Sequence, residues 1–163
     1  MLIAVVSDSH NNDRAIKEVK SYIKNSDVLL FLGDGENDIA KITEDFNGEV
    51  YSVSGNCDFL GKSPNERIVE LEGKKIFMCH GHAYNVKYGY DNIYYRGLSL
   101  GVDIVLFGHS HIPVVEKHND ICLMNPGSIS HGACMAKRSL GYIEIKEGKI
   151  AQIYTKEIKM LWK

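Results

Sequence analysis

Five short tracts of this chain carry side chains that can hold metal ions or move protons. They are Ser-Asp-Ser-His at 7 to 10, Gly-Asp-Gly at 33 to 35, Gly-Asn-Cys-Asp at 55 to 58, His-Gly-His at 80 to 82 and Gly-His-Ser-His at 108 to 111. Asp8 and His10, like His109 and His111, lie two residues apart. In an extended segment such residues project to the same side, so each pair can offer two donor atoms to one place. A lone loop histidine is more often satisfied by hydrogen bonds than by a metal, but two such pairs beside an acidic loop favour the metal. The donors are carboxylate and amide oxygens and imidazole nitrogens without thiolate, a set that suits borderline divalent ions such as Mn, Fe, Co, Ni or Zn better than Ca or Mg. Asp8, His10, Asp34, Asn56, His80, His109 and His111 are more ligands than one four-coordinate ion uses. Two divalent ions about 3.5 to 4 Å apart, bridged by a carboxylate and a water, fit them better.

Cys57 raises a separate question, because it could be a nucleophile, a ligand, half of a disulfide or a small inert residue. The four cysteines, at 57, 79, 122 and 134, form no Cys-x-x-Cys pair, and Cys79 and Cys122 lie in apolar stretches where burial is expected. Asp58 could accept the second N–H of a ligating histidine; an Asp after a turn more often caps or bonds locally.

The elements that must position these tracts follow from hydrophobic patterning. Leu-Ile-Ala-Val-Val at 2 to 6 and Val-Leu-Leu-Phe-Leu at 28 to 32 are continuous apolar runs of strand length, the pattern of strands buried on both faces. Between them Ala15, Ile16, Val19, Tyr22 and Ile23 recur at helical spacing, with Asn12 or Asp13 as cap. A short helix is expected over 36 to 46 and a strand over 49 to 54. Two strands joined by Glu-Gly-Lys end at His80, and an irregular aromatic tract at 82 to 95 leads into a helix from about 92 to 100. A further apolar strand precedes Gly108. The remainder reads as strands at 114 to 118 and 121 to 125, the turn Asn-Pro-Gly-Ser at 125 to 128, and a closing hairpin. Early strand and helix alternation implies parallel pairing, and the late hairpins imply antiparallel pairing. Ligands of open α/β sheets bind at the carboxyl ends of strands, where all five tracts fall.

A chain of 163 residues is expected to form a single domain over 1–163, large enough to need no disulfide. Its 44% hydrophobic and 25% charged residues are those of a soluble globular protein. The net charge of −2 with dispersed basic residues gives no stripe for a phosphate backbone, so stable nucleic-acid binding is not expected. The chain lacks an apolar run of membrane-spanning length and a signal-peptide pattern, which points to the cytoplasm. A homo-oligomer is left open.

In this order and at strand ends, Asp-x-His, Gly-Asp-Gly, Gly-Asn-Cys-Asp, His-Gly-His and Gly-His-Ser-His resemble the motifs of the calcineurin-like metallophosphoesterases. The resemblance is to the small bacterial and archaeal phosphodiesterase branch, related to the retromer subunit of the same fold, and covers nearly the whole chain. It implies an α/β fold, a four-layer αββα sandwich with mixed sheets and a dimetal site at the strand C-terminal ends. It also implies Asp8, His10, Asp34 and His111 at one ion and Asp34, Asn56, His80 and His109 at the other, with Asp34 as bridge. Asp34, Asn56 and His80 would be catalytic through the ions they hold. His82 would contact substrate phosphate or orient a ligand, with a merely structural role as well supported. Departures are Asn11, where most members have Gly, and Ser-His-Gly-Ala-Cys-Met-Ala-Lys-Arg at 130 to 138, where the family has Pro-Arg. Arg138 and His131 stand as replacements for that arginine. In much of the family the position of Cys57 is a histidine that serves as general acid, for which a neutral thiol is a poor substitute.

The expected activity is therefore hydrolysis of a small phosphate ester by a metal-bridging hydroxide, without a protein nucleophile. Two divalent ions less two carboxylates and one hydroxide leave a single positive charge, which a diester monoanion balances and a monoester dianion exceeds. A protein-binding scaffold, with the aromatic tract at 82 to 95 as its surface, and a nuclease are the competing readings.

Overall fold

Along the first strand Ile3 and Val5 face one way and Ala4 and Val6 the other, and all four are inaccessible to solvent. A strand buried on both faces needs a layer on each. In the computed structural model, which describes residues 1–159, those layers are a second sheet and a pair of helices. The last four residues of the expected domain, 160–163, lie outside the described residues.

The first sheet has the order β10-β9-β1-β2-β3, formed by β1 (Leu2–Val6), β2 (Val28–Phe31), β3 (Glu49–Ser52), β9 (Ser139–Lys146) and β10 (Lys149–Glu157). The second has the order β4-β5-β6-β8-β7, formed by β4 (Glu66–Leu71), β5 (Lys74–Cys79), β6 (Ile104–Leu106), β7 (Val114–His118) and β8 (Ile121–Asn125). β1, β2 and β3 pair in parallel, as do β5, β6 and β8, while β4, β7, β9 and β10 add antiparallel edges.

The sheets meet face to face through Ile3, Val5, Leu30, Met78, Leu106, Met124 and Ile143. On the outer face of the first sheet, α1 (Asp13–Ile23) and the one-turn α2 (Ile39–Ile42) lay Ala15, Ile16, Val19 and Ile42 against Ala4, Val6 and Phe31. On the outer face of the second, α3 (Asp91–Leu100) buries Ile93 against Phe77, Val105 and Leu123. The four layers are those of an αββα sandwich.

Local signals account for the helix ends. The Asn12 side chain accepts from the Ala15 N–H at 3.1 Å and starts α1, and left-handed Gly101 ends α3. The helix expected over 36 to 46 is shorter: one 3-10 turn, Glu36–Asp38, runs into α2, which stops at Ile42. Asp38 spends its carboxylate on Ser9 and the Asn11 N–H, and the Thr43 hydroxyl bonds back to the Ile39 carbonyl. Such local bonds compete with helix propagation. The aromatic tract divides. Tyr84, Tyr90 and Tyr94 pack on the core beneath α3, whereas Tyr88 and Tyr95 are exposed.

Candidate metal centre

Because β1, β2, β3, β5, β6 and β8 run in parallel sets, the loops that follow them gather at one end of the sandwich. Main-chain bonds join neighbouring loops within each sheet: Asp8 N–H to Gly33 O at 3.0 Å and His10 N–H to Asp34 O at 3.1 Å in the first, and Gly108 N–H to His80 O at 2.9 Å in the second. The first sheet brings Asp8, His10, Asp34 and the turn of Asn56 and Cys57; the second brings His80, His109 and His111.

The backbone that presents these side chains is not extended, which corrects the spacing argument for the Asp-x-His and His-x-His pairs. Asp8, His10, Asp34, His109 and His111 all adopt left-handed φ, between 47° and 64°. Non-glycine residues rarely do so, and clusters of them mark functional sites. Asn11, at φ 55°, takes the conformation that glycine would supply in its place. The outcome for the first pair stands by another route, since His10 Nε2 lies 3.5 Å from Asp8 Oδ1. The second pair splits. His111 joins Asp8 and His10, and His109 joins Asp34 and His80, with donor atoms in each trio within 4.8 Å of one another.

Asp8 Oδ1 is 3.0 Å from His111 Nε2 and 3.9 Å from His80 Nε2. Asp34 Oδ2 is 3.3 Å from His80 Nε2 and 3.9 Å from His10 Nε2. The remaining oxygens face away: Asp8 Oδ2 accepts the Ser7 hydroxyl at 2.5 Å and the His109 N–H, and Asp34 Oδ1 accepts the Cys57 N–H at 2.8 Å. Each carboxylate is thus anchored by one oxygen and presents the other to the histidines. Two glycines permit the approach, because a Cβ on Gly33 would lie 2.5 Å from the Gly55 nitrogen and one on Gly55 would lie 2.1 Å from Asp34 Oδ1.

Burial alone would raise the pKa of both carboxyls. Hydrogen bonds from His10 and His111 and the charge of His80 outweigh it at Asp8, holding that carboxyl far below the usual range. At Asp34 the His80 imidazole and the Cys57 N–H hold it down at about 2. Burial lowers His80, but Asp34 and Asp8 more than reverse this and raise it. His109, half-buried and beside His80, is lowered to about 4, first by desolvation and then by the His80 charge. The centre is a pair of ionised carboxylates that draws a positive charge.

His80 tests whether a metal fits that charge. Its Nδ1–H donates to the Leu32 carbonyl at 2.7 Å, which fixes the ring and directs Nε2 at the carboxylates. Nε2 is buried and has no hydrogen-bond partner, since its approach to Asp34 Oδ2 is outside hydrogen-bonding geometry. A buried polar atom without a partner costs about 1–3 kcal/mol, so native proteins leave few of them. Nε2 of an imidazole fixed in this way is suited to a divalent cation, and the residues present fit one.

Asp58 does not orient a histidine. Its carboxylate accepts four main-chain N–H groups, from Asp34 and Gly55 at Oδ2, both at 2.8 Å, and from Gly35 and Glu36 at Oδ1, both at 2.9 Å. It ties the turn after β2 to the turn after β3. Asn56 lies in the second of these turns, exposed, with its amide nitrogen 3.4 Å from Cys57 Sγ. Although Cys57 as a whole is exposed, its sulfur reaches inward to within 4.8 Å of donor atoms of His10 and Asp34. Partial desolvation of that sulfur, then the Asp34 carboxylate, push the thiol up to about 11. All four cysteines are free; Cys79 and Cys122 are buried.

His82 stands exposed at the rim, its ring 5.6 Å from that of His80 and 6.1 Å from that of His109. Of the two replacements considered for the absent arginine, Arg138 turns away, its Nη1 on Glu18 at 2.7 Å and its Nε on the Ile129 carbonyl. His131 is at the centre, its ring 4.8 Å from His111 and 5.6 Å from His10. Sequence reasoning missed the Leu32 carbonyl behind His80, and Ser128 and Ser130, whose hydroxyls both donate to the Asp8 carbonyl. The Asn-Pro-Gly-Ser turn was the available signal for Ser128, and Ser130 follows two residues later.

Residues 1–148 match the family model described as the calcineurin-like phosphoesterase superfamily domain. The chain is 35% identical over 131 residues to a probable metallophosphoesterase, YsnB, of Bacillus subtilis, covering 79% of this chain and 75% of that protein. It is 30% identical over 155 residues to the phosphodiesterase YfcE of Escherichia coli, covering 80% of each. Among solved structures, wild-type Vps29 from Entamoeba histolytica complexed with Zn²⁺ superposes with a TM-score of 0.79 at 20% identity, covering 96% of this chain and 97% of that one, a likeness of fold.

Proposed function

We propose that this chain, which belongs to the calcineurin-like phosphoesterase superfamily, is a divalent-metal-dependent phosphodiesterase whose centre holds two ions between the loops of its two sheets. The observation that carries the reading is His80 Nε2, buried, outside hydrogen-bonding geometry and directed at two ionised carboxylates. Asp8, His10, Asp34 and His111 would hold one ion, and Asp34, Asn56, His80 and His109 the other. When bound, such ions generate a nucleophile from water at neutral pH and neutralise charge on the phosphoryl oxygens. The chain's own part is positional. Asp34 directs one oxygen inward because the Cys57 N–H occupies the other, and Leu32 fixes the His80 ring. His82, at the rim beside His80 and His109, would contact the phosphate. The likeness to phosphodiesterase YfcE supports a diester rather than a monoester. Among the described residues, no helix is long and apolar enough to cross a membrane.

The direct test strips the protein with a chelator and restores Mn, Ni, Co, Zn or Mg singly. Bis(p-nitrophenyl) phosphate and p-nitrophenyl phosphate serve as diester and monoester. Turnover is expected to return with a borderline ion and to favour the diester. No hydrolysis of either ester by protein that metal analysis shows to be loaded would defeat the proposal.

Cys57 sets a second expectation. A neutral thiol is a much weaker general acid than the imidazolium that the family's histidine would supply at this position, so esters with weakly basic leaving groups should react best. Cys57→His should accelerate hydrolysis of diesters with alkyl leaving groups by about tenfold or more, with a smaller effect on p-nitrophenyl esters. An equal change for both classes would show that position 57 does not reach the leaving group.

A further inference from the structure

The tracts at 7–10, 33–35, 55–58, 80–82 and 108–111 supply every ligand of the proposed centre, and the tract at 130 to 138 touches it only through Ser130 and His131. This tract runs from the centre to the end of β10. At one end the Ala133 N–H reaches the His111 carbonyl at 3.3 Å; at the other the Ile158 N–H reaches the Arg138 carbonyl at 2.8 Å, and Lys137 pairs with Glu157 at 3.0 Å. Between tract and strand lies a cavity of about 1000 Å³. That is the upper end of the range for small-molecule sites. His131 both lines this cavity and stands against His111 and His10. His131 thus stands at the boundary between cavity and centre.

The chemistry of the wall is specific. The Ser130 hydroxyl donates to the Asp8 carbonyl at 2.8 Å, so its lone pair takes the His131 Nδ1–H, also at 2.8 Å. Nε2 of His131 remains for a ligand. Ala136 and Ile158 supply apolar surface, and Arg138, held by Glu18, closes one side as a fixed wall rather than a free phosphate clamp.

We propose that this cavity is the subsite for the non-leaving substituent of a phosphodiester, that the substituent is a hydroxylated group of nucleoside size, and that His131 is its binding residue. This rests on the phosphodiesterase reading above. A diester has two ester oxygens at phosphorus. One departs with the leaving group, and the other must carry its substituent away from the ions; past His131 it enters a space far larger than an alkyl chain needs. His131 Nε2 meets a hydroxyl there.

Two esters that share a leaving group isolate this site: thymidine 5′-(p-nitrophenyl) phosphate and ethyl p-nitrophenyl phosphate. The wild-type kcat/KM should favour the nucleoside ester by at least about tenfold, the value of filling such a pocket. Ala136→Trp, which occupies the cavity, and His131→Ala should each bring the ratio of the two kcat/KM values towards one. A ratio near one in the wild type, or an unchanged ratio in both variants with metal content and melting temperature retained, overturns the proposal. If the loaded wild type hydrolyses neither ester, the phosphodiesterase reading fails and binding decides the subsite. A ¹⁵N-labelled chain titrated with thymidine 5′-(ethyl phosphate) would then shift the amides of Gly132, Ala136 and Ile158 if the subsite exists. The absence of such shifts would overturn it.

Discussion

Replacing Asp34 with asparagine should abolish both metal retention and hydrolysis, the largest effect expected of any single substitution in this chain. Asp34 uses its oxygens for different tasks: Oδ1 accepts the Cys57 N–H, and Oδ2 faces His80 and His10. Asparagine has one acceptor. If its oxygen keeps the Cys57 bond, the amide N–H groups point at the two imidazole nitrogens and no lone pair faces the ions. If the amide is reversed, its N–H groups oppose the Cys57 N–H. In both orientations the shared carboxylate charge is lost. Retained metal after dialysis should fall at least about a hundredfold in affinity, more than the loss of an outer hydrogen bond to a ligand brings. Diester turnover should fall to background. The measurement is metal content per chain beside kcat/KM, and an Asp34→Asn protein that kept both would show that Asp34 does not bridge.

Asp58→Asn should be the most damaging change outside the ligands themselves. The carboxylate receives N–H groups from Asp34, Gly35, Glu36 and Gly55, two on each oxygen. An amide of the same shape keeps one pair and turns its own donors on the other. Leaving main-chain donors opposed in this way costs about 2–4 kcal/mol. For a chain of this length that lowers the melting temperature by roughly 5–12 °C. The isosteric amide is expected to do no better than Asp58→Ala, which removes the acceptor but introduces no opposing donor and lets water in. Because the two turns carry Asp34 and Asn56, metal affinity should fall with stability. Thermal melts of the metal-free and loaded proteins measure both losses, and an Asp58→Asn protein as stable as the wild type would contradict the role given to this carboxylate.

The layers were legible because apolar runs bounded by polar loops leave few alternatives. A strand buried on both faces, such as 2 to 6, calls for the sandwich that is observed. The donor residues were legible because they sit immediately after those runs. What holds them was not. The left-handed backbone of Asp8, His10, Asp34, His109 and His111 is imposed by bonds between loops, as from the Asp8 N–H to the Gly33 carbonyl. Residue spacing carries no trace of it. The Leu32 carbonyl that fixes His80 is a main-chain atom 48 residues away, a partner that no side-chain pattern reveals. Arg138 and His131 looked interchangeable in sequence; only the buried Glu18 on α1 decides that Arg138 turns from the centre while His131 stays at its edge.

The division of the centre between the two sheets has a consequence for how the chain reaches its working state. Asp8, His10 and Asp34 belong to one sheet, and His80, His109 and His111 to the other. A folding intermediate with only one sheet formed has either carboxylates without most of their imidazoles or imidazoles without any carboxylate, and holds an ion weakly. If the centre binds metal as proposed, tight capture is a checkpoint on docking of the sandwich, and from that moment a bound ion would rivet the sheets together. Its contribution to stability grows with free metal as RT ln(1 + [M]/Kd).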